Sequence, residues 1–285
     1  MAILVFESYS VFMIKGIIII VVIIAVVVGI VSFMMPAGKT EVLERLSDLD
    51  VVPTEISVEM ESSYKVSATT FGDQAKPKLV LVHGSPGDWS NWEHIIADAR
   101  VRDRYCIVAV DRAGYGATTV PPQSTLAGQS AVIWQLLDRM VQGTDAVVVG
   151  HSYGGAVVEQ MLLERPRYFL KAVLAAPTLS PDLQAPRWYN RIADLSLMNY
   201  ILPQALIASN IEMMALPAAL AINQSKLKTI RSEVYYIQGK KDVLVPFETV
   251  DYFAAYGPDQ TEYYLDDNMN HFIPWSDPGL IITAV

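Results

Sequence analysis

The chain has 285 residues, 52% of them hydrophobic and 18% charged, which fits one large globular domain and excludes a disordered tail or a coiled coil. Its formal net charge is −9, so it repels phosphate backbones and nucleic acid is not an expected partner. One cysteine, Cys106, rules out an intramolecular disulfide and a Cys-rich metal site.

In chain order the first feature is the run Gly16 to Met35, GIIIIVVIIAVVVGIVSFMM, twenty residues without a charge. At 1.5 Å per residue a helix of that length covers the roughly 30 Å hydrocarbon core of a bilayer. The run is rich in β-branched residues, but a lone strand would leave its backbone unpaired in lipid, so a helix is expected. It is longer than a signal-peptide core and ends Met-Met-Pro-Ala-Gly, a poor cleavage site. Residues 1–36 are therefore read as an uncleaved single-pass anchor. A short cytoplasmic tail would leave the catalytic domain on the extracytoplasmic side. Residues 37–54 form a polar connector.

From position 55 the pattern alternates. Strands are expected at Glu55–Glu59, Lys65–Phe71, Lys78–His83, Tyr105–Asp111, Asp145–Gly150, Lys171–Ala176, Glu233–Gln238 and Thr261–Leu265. Helices are expected at Trp89–Ala99, Thr125–Met140, Tyr153–Arg165 and Phe247–Ala255. Runs such as LVLVH and AVVVG are continuously apolar, as strands covered on both faces should be. The alternation predicts an α/β domain over 55–285, with a mainly parallel eight-stranded sheet and helices on both faces. Cys106 falls inside one of these apolar strands and is read as a core residue. Residues 178–232 break the alternation with apolar, Met-containing helical pieces and four prolines, an insertion between two strands.

Gly150-His-Ser-Tyr-Gly154 follows a buried strand and precedes an amphipathic helix, the setting in which G-x-S-x-G lifts a serine hydroxyl above a sheet. Backbone N–H groups at the start of that helix favour a developing anion. His83-Gly-Ser-Pro-Gly87 follows the strand KLVLVH. Pro86 has no N–H, so Ser85 is the backbone donor expected there, with Tyr153 supplying the other.

Serine needs a base. His83 and His151 sit in the two turns, and His94 lies in a predicted helix. His271 remains, in the loop after the last strand, and is the candidate base. Asp242, in Gly239-Lys-Lys-Asp-Val-Leu-Val-Pro246, is the candidate acid, ahead of Asp266, Asp267 and Asp182. The order Ser152, Asp242, His271 is the order of triads built on this turn.

With HGSPG, DRAGYG at 111–116, GHSYGG, GKKDVLVP and NHF in this order, the chain resembles the α/β-hydrolase superfamily over about residues 55–285. The resemblance implies that 178–232 is a helical cap over the site, and that Asp111 and Arg112 are structural. It also implies a serine enzyme, since the related haloalkane dehalogenases and epoxide hydrolases use aspartate at the position of Ser152. No metal or organic cofactor is needed. The expected activity is hydrolysis of a small-molecule carboxylic ester, lipid-like given the anchor. An aminopeptidase, a C–C bond hydrolase or a haloperoxidase-like enzyme shares these motifs, with Glu212 or Asp194 as candidates to hold a substrate amino group. A non-catalytic anchored binding module is the alternative from another class. Trp89, Trp92 and Trp188 either line the substrate path or pack. Asn223-Gln-Ser225 fits the glycosylation acceptor pattern.

Overall fold

The computed structural model describes residues 38–60, 63–140 and 145–285. The apolar run at 16–35, and with it the expected anchor, lies outside them. A short helix α1 (Lys39–Ser47) precedes eight strands: β1 (Thr54–Glu59), β2 (Lys65–Phe71), β3 (Lys78–Val82), β4 (Cys106–Asp111), β5 (Ala146–His151), β6 (Phe169–Ala175), β7 (Glu233–Gly239) and β8 (Thr261–Asp266). They form one sheet in the order β1-β2-β4-β3-β5-β6-β7-β8. The β1–β2 and β2–β4 pairs are antiparallel and all others parallel. All eight expected strands are present, with ends shifted by at most two residues.

The apolar runs of β3, β4 and β5 are buried because both faces of the sheet are covered. Val80, Val82, Val108, Val110 and Val148 join one core cluster, together with the helices Leu126–Met140 and Tyr153–Glu164. The alternate residues Leu79, Leu81, Ile107, Ala109 and Val149 are equally buried on the opposite face. There the segments 89–97 and 278–284 pack against the sheet. This period of two is what a strand sandwiched between helix layers requires.

The single helix expected over Trp89–Ala99 is a correction. It is a 3-10 turn, Trp89–Trp92, followed by Glu93–Ala97, a break at Asp98, and a further helix, Ala99–Arg104. Asp98 takes extended backbone and its carboxylate accepts from the N–H of Arg100 at 2.9 Å, so a capping residue interrupts an otherwise continuous apolar pattern. Trp89 and Trp92 are core residues on this segment.

Between β6 and β7 lie a helix at Trp188–Ala193, a 3-10 turn at Ser196–Tyr200, a 20-residue helix at Gln204–Asn223 and a 3-10 turn at Gln224–Thr229. By length and composition the segment 204–229 could cross a membrane. In this fold, however, its inner face buries Ala208, Glu212, Leu216 and Leu220 against the domain. Asn223 is also buried, and its Nδ2 donates to Gln160 at 2.9 Å and Glu159 at 3.2 Å. The asparagine of the acceptor pattern at 223–225 is therefore withdrawn into the protein. The final helix, Pro278–Ala284, is short, and the edge strand β8 is largely exposed.

Candidate active site

The turn after β5 places Ser152 in the left-handed region, φ 54 and ψ −124, where a side chain bears a steric cost. The glycines around it make the turn possible. A Cβ on Gly154 would lie 2.2 Å from the carbonyl oxygen of Val82, and one on Gly150 would lie 2.6 Å from that of Gly154. Strand, turn and helix can approach this closely only without those side chains. The backbone N–H of Ser152 donates to Ala175 on β6 at 2.9 Å, which pins the turn to the neighbouring strand. Tyr153 opens the following helix, so its N–H belongs to the first-turn donors that have no intrahelical partner.

Asp242 lies in the loop after β7. Its Oδ1 accepts from the N–H groups of Leu244 and Val245 at 2.9 and 2.8 Å, and its Oδ2 accepts from Gln238 Nε2 at 3.0 Å. The same Oδ2 is 2.7 Å from Nδ1 of His271, and both residues are buried. Nδ1 must donate to a carboxylate, so in the neutral ring Nε2 is the basic nitrogen. Ser152, Ser85 and His271 line one cavity of about 190 Å³, with Thr178, Arg187, Asn190, Ser209, Met213 and Leu244 among its other walls.

His151 plays a part that the sequence did not suggest. Its Nε2 donates to the backbone carbonyl of His271 at 2.9 Å, across 120 positions of chain. Burial and the neighbouring His271 pull its pKa down to about 3, so it is neutral and braces the His271 loop. His83 is likewise neutral. Its Nδ1 donates to the Gly84 carbonyl at 2.8 Å while Nε2 accepts from the Arg112 N–H at 3.1 Å, and burial holds its pKa well below the usual range. His94 is exposed on the surface.

Beneath the Ser85 loop lies a buried ionic network. Arg112 donates to the carbonyls of His83 at 2.9 Å and Gly84 at 2.7 Å. Its guanidinium also pairs with Glu212 of the 204–223 helix, both side chains being fully buried. Glu212 accepts further from Tyr115 Oη at 2.9 Å and Gln129 Nε2 at 2.7 Å. Tyr115 Oη in turn lies 3.0 Å from the hydroxyl of Ser85. Glu212 is thus committed to the fold and cannot receive a substrate amino group, which corrects that expectation. Asp194 is exposed, outside the cavity walls. Asp111 anchors the neighbouring turn, accepting from the N–H groups of Trp89 and Ala117 at 2.9 and 2.8 Å.

Two of the three competing acids are otherwise engaged. Asp266 accepts from the N–H groups of Asn268 and Met269, and Asp267 pairs with Lys240 at the surface. Asp182 is exposed. Among the described residues no group of three or more His, Cys, Asp or Glu is placed to hold a metal. Cys106 is buried in β4, where burial raises its thiol pKa.

Residues 79–283 match the alpha/beta hydrolase family model. Among curated proteins, mouse epoxide hydrolase 4 is 24% identical over 116 residues, which are 40% of this chain and 32% of that one. The chain thus spans about a third of that relative's length. Among solved structures, an esterase from Exiguobacterium antarcticum superposes with a TM-score of 0.63 at 16% identity, over 80% of this chain and 96% of that one. The naproxen esterase of Bacillus subtilis superposes with a TM-score of 0.62 at 16% identity, over 87% of this chain and 98% of that one. At these identities the superpositions speak to the fold.

Proposed function

This chain belongs to the alpha/beta hydrolase family, and on that premise we propose that it is a membrane-anchored serine hydrolase that cleaves carboxylic esters by two-step acyl transfer. The observation that carries the reading is the Asp242–His271 pair, 2.7 Å apart, on the wall of a cavity that Ser152 shares. Asp242 holds the tautomer in which Nε2 of His271 is free to accept a proton. That nitrogen takes the Ser152 hydroxyl proton as Oγ attacks the ester carbonyl. The N–H groups of Ser85 and Tyr153 receive the oxyanion, and loss of one such donor typically costs about 2.7–4 kcal/mol. His271 then protonates the leaving alcohol. Water, activated the same way, attacks the acyl-Ser152 ester and releases the acid.

A hydroxyl at position 152 favours this chemistry over that of the epoxide hydrolases among the relatives, since an aspartate would be needed to open an epoxide through an ester intermediate. A cavity of about 190 Å³ suits a short acyl group better than a long chain. The anchor rests on the uncharged run of residues 16–35.

The test is hydrolysis of p-nitrophenyl esters from acetyl to palmitoyl by the full chain in detergent, beside Ser152→Ala. Turnover is expected with the short esters and should fall by about five to six orders of magnitude in the variant. Turnover that survives in Ser152→Ala would remove the serine mechanism.

A further inference from the structure

The stretch from Leu183 to Ile201 holds much of the apolar surface that the described residues expose. Tyr200 is 88% exposed, Trp188 67% and Leu197 63%. Leu195 and Ile192 stand beside them in sequence and are also exposed. Scattered apolar side chains are ordinary on a protein surface, but a concentration of this kind marks an interaction face. Three further observations say what it meets.

The first is continuity. Leu183, Tyr189 and Leu244 are exposed and also line the cavity that holds Ser152 and His271, so the apolar face runs into the mouth of the site. The second is chemistry. Tryptophan and tyrosine with interspersed arginine is the composition that settles at a lipid headgroup boundary. Arg187 and Arg191 are exposed in this stretch, and Asp194 is its one acidic residue, within a chain whose net charge is −9. The third is reach. Only three residues, 36–38, separate Met35, the end of the uncharged run, from Lys39, where helix α1 begins, so the chain that joins the run to the domain is short.

We propose that the 183–201 face docks on the lipid surface, with Trp188, Leu197 and Tyr200 in the headgroup–acyl boundary and Arg187 and Arg191 against anionic headgroups. The mouth of the cavity then opens at the interface, and the substrates are esters that partition into the membrane. The docking rests on the anchored-hydrolase reading above.

Trp188 reports on it directly. The other four tryptophans are buried or half-buried. The full chain is reconstituted in vesicles of phosphatidylcholine and phosphatidylglycerol whose acyl chains are brominated near the headgroup. Emission should fall relative to unbrominated vesicles, and that loss should disappear in Trp188→Phe. A Leu197→Asp, Tyr200→Asp double variant should still float with the vesicles and hydrolyse a water-soluble ester, while its Trp188 is no longer quenched. Flotation with equal quenching in wild type and Trp188→Phe would overturn the docking and leave the anchor standing. A chain that fails to float would overturn both, and ester hydrolysis in detergent would report on the serine mechanism separately.

Discussion

The turn that carries Ser152 and the 178–232 cap meet at one cavity but are specified in opposite ways. At the turn almost every position answers to a backbone constraint. Gly154 has the Val82 carbonyl 2.2 Å from where its Cβ would be, Gly150 has that of Gly154 at 2.6 Å, and Ser152 takes a positive φ that the surrounding hydrogen bonds impose. The cap obeys no such rule. Its 204–223 helix is held by burial, by the ion pair of Glu212 with Arg112 and by the hydrogen bonds of Asn223 to Glu159 and Gln160, while the 183–201 stretch leaves large apolar side chains in the open. Chemistry demanded by the backbone fixes residue types at short spacing. Burial in a cap depends on partners a hundred positions away.

Beside the turn a single-atom change should be felt most. Asp242→Asn keeps a side chain that can accept from Leu244 and Val245, yet it no longer favours the tautomer with Nε2 free. Turnover should fall by about four orders of magnitude with melting temperature little changed. Ester hydrolysis and thermal melts check this together, and a loss of tenfold or less would deny Asp242 its role.

On the cap side a substitution should act on stability. Glu212→Ala leaves the Arg112 guanidinium buried without its counter-ion and should cost about 3–5 kcal/mol in denaturant unfolding. Pairing it with Arg112→Met should recover part of that loss. An unchanged midpoint in the single variant would mean that the ion pair does not hold the cap.

A pH-dependent effect lies between the two regions, at Glu159 on the helix that follows Ser152. Burial pushes its carboxyl up to about 8 from an ordinary value of 4.5. Its Oε2 has no hydrogen-bond partner among the described residues. The folded state therefore binds a proton that the unfolded chain has already released, so this group's contribution to stability falls as pH rises from about 4.5 to about 8 and is level above that. Glu159→Gln keeps the bond from Asn223 and removes the titration. The variant should match wild type near pH 4.5 and be the more stable of the two at pH 8. Parallel pH profiles would contradict the assignment.

The same contrast divides what the sequence shows locally from what it does not. Eight strands could be read from apolar runs because both faces of the sheet are covered, and Ser152, Asp242 and His271 stand out as candidates because few serines, acids and histidines sit at such turns. The break at Asp98 was hidden because its capping bond is local and the apolar pattern continues past it. Glu212 looked available because it stands in an apolar run, ASNIEMMALP, with no sign of Arg112, its partner 100 positions earlier. His151 sits in the turn beside Ser152. Its bond to the carbonyl of His271 joins positions 120 apart and leaves no local trace.

Whether Ser152 is the nucleophile is decided by treating the full chain with a fluorophosphonate and locating the adduct by peptide mass spectrometry. One adduct is expected, on Ser152, absent in Ser152→Ala and slower to form in Asp242→Asn. A folded chain that stays unlabelled, or one labelled on another serine such as Ser85, would contradict it.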